Sequence, residues 1–131
     1  MIKLTPEKWK TITDINRQVN FAIEYLSDQE NYGISDYWAI PKNGKGDCED
    51  IQLMKQDLLK KQGIESFMAT CWTETGGYHA VLLVDTDKGT FALDNRFETV
   101  WNYDELDYTW DKREINKPGK YGGNKWVKII S

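Results

Sequence analysis

The chain has 131 residues, of which 17 are basic and 21 acidic for a formal net charge of −4. That length suits a single domain spanning 1–131 that buries its own core without a metal or disulfide staple. The acidic balance, with no basic block, argues against nucleic acid as a partner, and no apolar run approaches the ~18 residues of a membrane span, so no membrane insertion is expected.

From the N-terminus, Met1-Ile2-Lys3-Leu4-Thr5-Pro6 lacks an apolar export region, so a chain that starts in the cytoplasm or has already been trimmed is expected. Thr5-Pro6-Glu7 has the pattern of an N-cap, an N1 proline and an early acid, and Trp9, Ile12, Val19, Ile23 and Leu26 follow at helical spacing. A first helix is predicted over 6–27. The stretch from Asn31 to Pro41 has no period, and Lys42-Asn43-Gly44-Lys45-Gly46 is turn chemistry, so a loop is predicted there. A second helix is predicted from Cys48 to Gln62, with Ile51, Met54 and Leu58 as its apolar stripe, acids at its start, lysines at its end and Gly63 as the C′ residue. Phe67–Thr73, Tyr78–Asp85 and Thr90–Leu93 read as successive antiparallel strands, the last two joined by a tight turn at Asp87-Lys88-Gly89. Asp111 to Asn124 reads as one long surface loop, and Trp126–Ile130 as a final strand. The fold class expected is α+β, with N-terminal helices packed on an antiparallel β-sheet.

Three residues carry candidate chemistry. Cys48 lies in Gly46-Asp47-Cys48-Glu49-Asp50 at the predicted start of a helix, where partial positive charge on backbone N–H groups favours thiolate over thiol. Its acidic neighbours rarely go inside a protein, which makes this a poor place for a core thiol. The other cysteine, Cys71, shares a predicted strand face with Phe67 and Ala69 and reads as structural, and both thiols are read as reduced. His79, the only histidine, shares a face with Val81 and Leu83; taken alone it would be a core histidine. Asp94 ends a strand pattern, where an aspartate bonded to its own turn is the commoner arrangement. Together, in the order Cys, His, Asp, they have the composition of a catalytic triad, with Asn95 a second candidate for orienting the imidazole.

The blocks Asp36-Tyr37-Trp38-Ala39-Ile40-Pro41, Gly46-Asp47-Cys48-Glu49-Asp50, Gly63-Ile64, His79-Ala80-Val81-Leu82 and Leu93-Asp94-Asn95, in this order, resemble the bacterial transglutaminase-like cysteine proteinases. The similarity extends upstream to Val19-Asn20 and downstream to Trp126. The resemblance implies a papain-like or transglutaminase-like core and a cysteine endopeptidase that hydrolyses a peptide bond. The best-known members cut surface adhesins in the periplasm, so the resemblance suggests that compartment, whereas the missing export signal suggests a cytoplasmic, phage-encoded or mature form. Cys48 would be the nucleophile, His79 the base, Asp94 the group that orients the imidazole, and the Cys48 amide an oxyanion donor. The resemblance also implies calcium, bound by Asp47, Glu49 and Asp50; these supply too few oxygens for the roughly six to eight that the ion takes, and acids that only complement the helix dipole are an equal alternative. A monomer acting on a protein or peptide is expected. Two other functions use the same fold: acyl transfer to an amine, and a non-catalytic binding module using exposed aromatics such as Trp38 and Trp101.

Overall fold

A computed structural model describes residues 2–30, 44–119 and 124–129, with the side chains of 23–30, 44–50 and 118 outside that description. Of the loop predicted over Asn31 to Gly46, residues 31–43 therefore lie outside the described residues. Helix α1 runs Pro6–Glu30 and helix α2 Gly44–Lys61. They are followed by strands β1 Phe67–Trp72, β2 Tyr78–Thr86, β3 Gly89–Leu93, β4 Trp101–Asn102, β5 Thr109–Pro118 and β6 Asn124–Lys128. The class is α+β, helices first, as expected.

The helix boundaries have local causes. Thr5 caps α1, its Oγ1 accepting from the Lys8 amide at 3.2 Å. At the other end of the helical pair, Ile64 N–H donates to Leu59 C=O and Gly63 N–H to Lys60 C=O, a Schellman closure that needs the left-handed φ of +74° at Gly63. Leu59 and Ile64, brought together by that closure, are both buried in the main core. One boundary differs from expectation: α2 begins at Gly44, four residues before Cys48. Glycines there read as turn formers, but nothing in Gly44-Lys45-Gly46 blocks a helix sterically, and each residue added to an existing helix gains a hydrogen bond.

The six strands form one antiparallel sheet in the order β4-β3-β2-β1-β5-β6. Even-numbered residues of β2 face the helices: Ala80, Leu82 and Val84 pack with Ile12, Ile15 and Val19 of α1 and Ile51 and Leu59 of α2. The odd-numbered ones face away, where Val81 and Leu83 join Ala69, Cys71, Ala92 and Trp110. Each such aliphatic contributes roughly 1.5–3 kcal/mol when removed from water. Strands β4 and β5 are consecutive in the chain but separated by β3, β2 and β1 in the sheet. Their connection, a 3₁₀ turn at Tyr103–Glu105 and the residues after it, packs Tyr103, Leu106 and Tyr108 onto the second core.

Most of the segment expected to be a long loop after Asp111 is strand β5, which pairs with both β1 and β6. The pairing shows why alternation is absent there. Trp110 lies opposite Cys71 and Lys112 opposite Thr70, so Asp111 is an extra residue, a bulge that puts Trp110 and Arg113 on one face although they are three apart. Arg113 then crosses Phe67 to form a two-pronged ion pair with Asp85 of β2, at 2.9 and 2.6 Å.

Candidate active site

His79 stands at the start of β2, opposite Cys71, and Asp94 directly follows the end of β3. Both are buried, with 7 % and 1 % of their surface exposed. Imidazole Nε2 lies 2.7 Å from Asp94 Oδ1. A carboxylate only accepts, so Nε2 carries the proton, and acid–base work at the ring falls to Nδ1. Burial alone would raise the Asp94 pKa, but the hydrogen bond and charge of His79, with the hydrogen bonds of Tyr108 and the Arg96 amide, outweigh it and hold the carboxyl below its ordinary value. Asn95, the alternative orienting group, does not take this place: its Oδ1 is buried and has no hydrogen-bond partner among the described residues.

The carboxylate is surrounded. Oδ1 also accepts the Arg96 amide at 3.0 Å, and Oδ2 accepts the Tyr108 hydroxyl at 2.5 Å. Arg96 donates to the same hydroxyl at 3.0 Å and forks onto both oxygens of Glu74, which pulls that exposed carboxyl down to about 2. On the helix side, Asn20 of α1 donates to the Asp94 and Phe97 carbonyls, and Asn16, one turn earlier, to the Phe97 and Glu98 carbonyls. The backbone after Asp94 is therefore fastened to α1 at three consecutive points of attachment, Asp94, Phe97 and Glu98. Tyr108, Arg96 and Glu74 were not among the candidates from sequence. They belong to no motif, and the crossover that brings Tyr108 to Asp94 has no local signature.

Cys48 and the acids around it lie on α2, with their side chains outside the described residues. Gln52, one turn after Cys48 on the same helix face, donates to the carbonyl of Ala80 at 3.4 Å, so residue 48 belongs to the end of α2 nearest the start of β2, where His79 stands. Because α2 begins at Gly44, residue 48 is in the second turn and its amide falls within the i→i−4 ladder. The expected oxyanion role of that amide is not met by this helix start. The helix-dipole effect also fades beyond the first turn.

The same helix bears on calcium. At about 100° per residue, Asp47 and Asp50 lie on one face, and Glu49 lies about 100° round from Asp50. Two of the three expected positions thus share a face of the helix, and the third does not. Among the described residues, no group of three or more His, Cys, Asp or Glu is arranged to hold a metal ion.

Cys71, expected to be structural, is fully buried in the second core, its Sγ 3.6 Å from the His79 carbonyl oxygen. A cavity of about 390 Å³ opens beside the candidate site, lined by Asn20 and Phe21 of α1, Ile51 of α2, and Asn95, Arg96 and Phe97 after Asp94. Ile51 is one helical turn from Cys48.

Among known families, the one described as bacterial transglutaminase-like cysteine proteinase BTLCP matches the chain over residues 1–131. Among solved structures, calcium-bound LapG of Legionella pneumophila is similar at a TM-score of 0.50 and 19 % identity, over 92 % of this chain and 81 % of that one. That likeness is one of fold. No curated protein matches the chain.

Proposed function

The chain belongs to the bacterial transglutaminase-like cysteine proteinases, and from that premise we propose that it hydrolyses a peptide bond through Cys48, His79 and Asp94. The observation that carries this reading is the buried 2.7 Å contact between His79 Nε2 and Asp94 Oδ1, which favours the tautomer with Nδ1 as the basic nitrogen of the ring. His79 Nδ1 takes the Cys48 proton, the thiolate attacks the scissile carbonyl, and the imidazolium then protonates the leaving amine. A water deprotonated by the same nitrogen releases the acyl group. Asp94 holds the ring and stabilises its charged form. In this reading the cavity between α1 and the residues after Asp94 takes one side of the cleaved chain as an internal stretch of a protein or peptide, as an endopeptidase requires, and the enzyme acts as a monomer.

Calcium, which LapG carries in its solved form, is proposed here with Asp47 and Asp50 as primary ligands and Glu49 as a third. It would offset acidic charge beside the nucleophile. The test is incubation with a thiol-reactive, peptide-like probe in calcium and in chelator, followed by mass mapping. Labelling confined to Cys48 supports the reading, and equal labelling of Cys48 and Cys71, or none, overturns it. Product analysis with an added amine distinguishes hydrolysis from acyl transfer.

A further inference from the structure

The two oxygens of Asp94 are held from different directions. Oδ1 sits between His79 and the Arg96 amide, whereas Oδ2 is held by the Tyr108 hydroxyl. The carboxylate torsion is broad and roughly two-fold, so a group with one oxygen bonded still rocks. A donor on the second oxygen stops that motion. Tyr108 also touches the other member of the pair, its ring packing edge-to-face on the imidazole with centroids 5.9 Å apart and planes at 76°. One side chain thus restrains both the carboxylate and the ring that bonds to it.

Tyr108 is itself held. Arg96 donates to its oxygen and lies over its ring, 5.6 Å from the centroid, and Glu74 fixes the guanidinium through a forked pair. The bonds run one way: Arg96 donates to the phenol, which donates to Asp94. Each donation polarises the next, so the phenol becomes a stronger donor to the carboxylate. Burial and the adjacent Asp94 charge push the phenol well above its ordinary pKa, so it keeps its proton throughout the neutral range.

We propose that Tyr108, braced by the Arg96–Glu74 ion pair, is the positioning residue for the His79–Asp94 couple. This rests on the peptidase reading above. Glu74 lies in the turn between β1 and β2, and Tyr108 in the crossover before β5, so the device joins two surface segments to the centre of the site. A tyrosine that merely fills the second core needs its ring and not its hydroxyl, and the two roles separate on removal of one oxygen.

The experiment uses the full chain and the variants Tyr108→Phe and Glu74→Gln. His79 is the only histidine, so the imidazole nitrogens give an unambiguous NMR signal. The second readout is the rate of Cys48 alkylation by iodoacetamide across pH. Tyr108→Phe keeps the ring, so its melting curve should stay close to the parent's. Its Nε2 resonance should move, and Cys48 alkylation at neutral pH should fall about tenfold, the scale of one hydrogen bond to a charged group. Glu74→Gln should shift both in the same direction by about threefold, as the brace loosens while the phenol remains. An unchanged imidazole signal and alkylation profile in Tyr108→Phe overturn the proposal. If that variant does not fold, Glu74→Gln carries the test, and identity with the parent overturns it. If Cys48 of the parent does not react, the peptidase reading fails, and the imidazole signal still decides the role of Tyr108.

Discussion

The ammonium of Lys55 donates to Asn16 Oδ1 across 2.7 Å, with both residues fully buried. The contact ties α2, the helix of Cys48, to the asparagine that holds the Phe97 and Glu98 carbonyls. Cys48, Gln52, Lys55 and Leu59 follow one another at spacings of four, three and four, so the lysine lies on the same face of α2 as the candidate nucleophile.

Burial pulls the Lys55 pKa from 10.5 down to about 7, against the raising effect of the Asp94 charge. Between those values the unfolded chain binds a proton that the folded chain does not. Folding stability should therefore rise with pH through that window, by up to about 1.4 kcal/mol per pH unit, and the lysine should add no slope below it. Urea titrations from pH 7 to 9.5, below the range where the tyrosines titrate, measure it. Lys55→Met should remove the slope; equal slopes in parent and variant would show that the ammonium is not desolvated.

Asn16→Ala removes three hydrogen bonds at once and leaves the buried Lys55 nitrogen without its acceptor. A loss of about 3 kcal/mol is expected, at the upper end of single substitutions. Because the bonds lost hold the residues after Asp94, kcat should fall at temperatures where the variant is still folded. A stable variant with parental kcat would show that this fastening does not serve the site.

Cys48→Ala should abolish peptide cleavage and leave the melting temperature nearly unchanged, since alanine is the best helix former and only one sulfur is removed. Asp94→Ala should retain weak activity, down on the order of 10⁴-fold as in enzymes with an equivalent aspartate, because the imidazole remains but loses its orientation. Cleavage assays on both variants decide. Parental activity in Cys48→Ala would end the peptidase reading.

The parts of this protein that could be read from sequence are those governed by short-range chemistry. Thr5 at the cap, Gly63 at the C′ position and the alternation in β2 each declare themselves within a few residues. The encounter of His79 with Asp94 was also within reach, because β2, which carries His79, and β3, which Asp94 directly follows, are joined by a hairpin. Strand β5 was hidden by the bulge at Asp111 and by a mostly polar sequence whose strand state depends on partners on either side. Tyr108 and Arg96 were hidden for a different reason: their roles arise from a crossover over the sheet, and a crossover path is set by the packing of the whole sheet. The start of α2 shows the opposite failure, since glycine chemistry was legible but the helix extended through it.

The last prediction concerns calcium and the geometry of α2. A ligand bound only by the folded state stabilises it by mass action, about 2.7 kcal/mol at a concentration one hundred times Kd. For a chain of this size that corresponds to a rise in Tm of roughly 8 °C. Chelator should lower Tm by such an amount and slow peptide cleavage, and restored calcium should reverse both where magnesium does not, because magnesium gives up its waters reluctantly and demands a stricter geometry. The helix adds a finer expectation. Asp47 and Asp50 share a face, so Asp47→Asn or Asp50→Asn should abolish the calcium response, and Glu49→Gln should only weaken it. Equal loss in all three variants would mean that the calcium-bound chain does not keep the helix from Gly44 and that the backbone around Cys48 opens to bring Glu49 onto the ion. If neither Tm nor cleavage responds to chelator in the parent, the three acids act only as charges near the start of the helix, and calcium has no part in this enzyme.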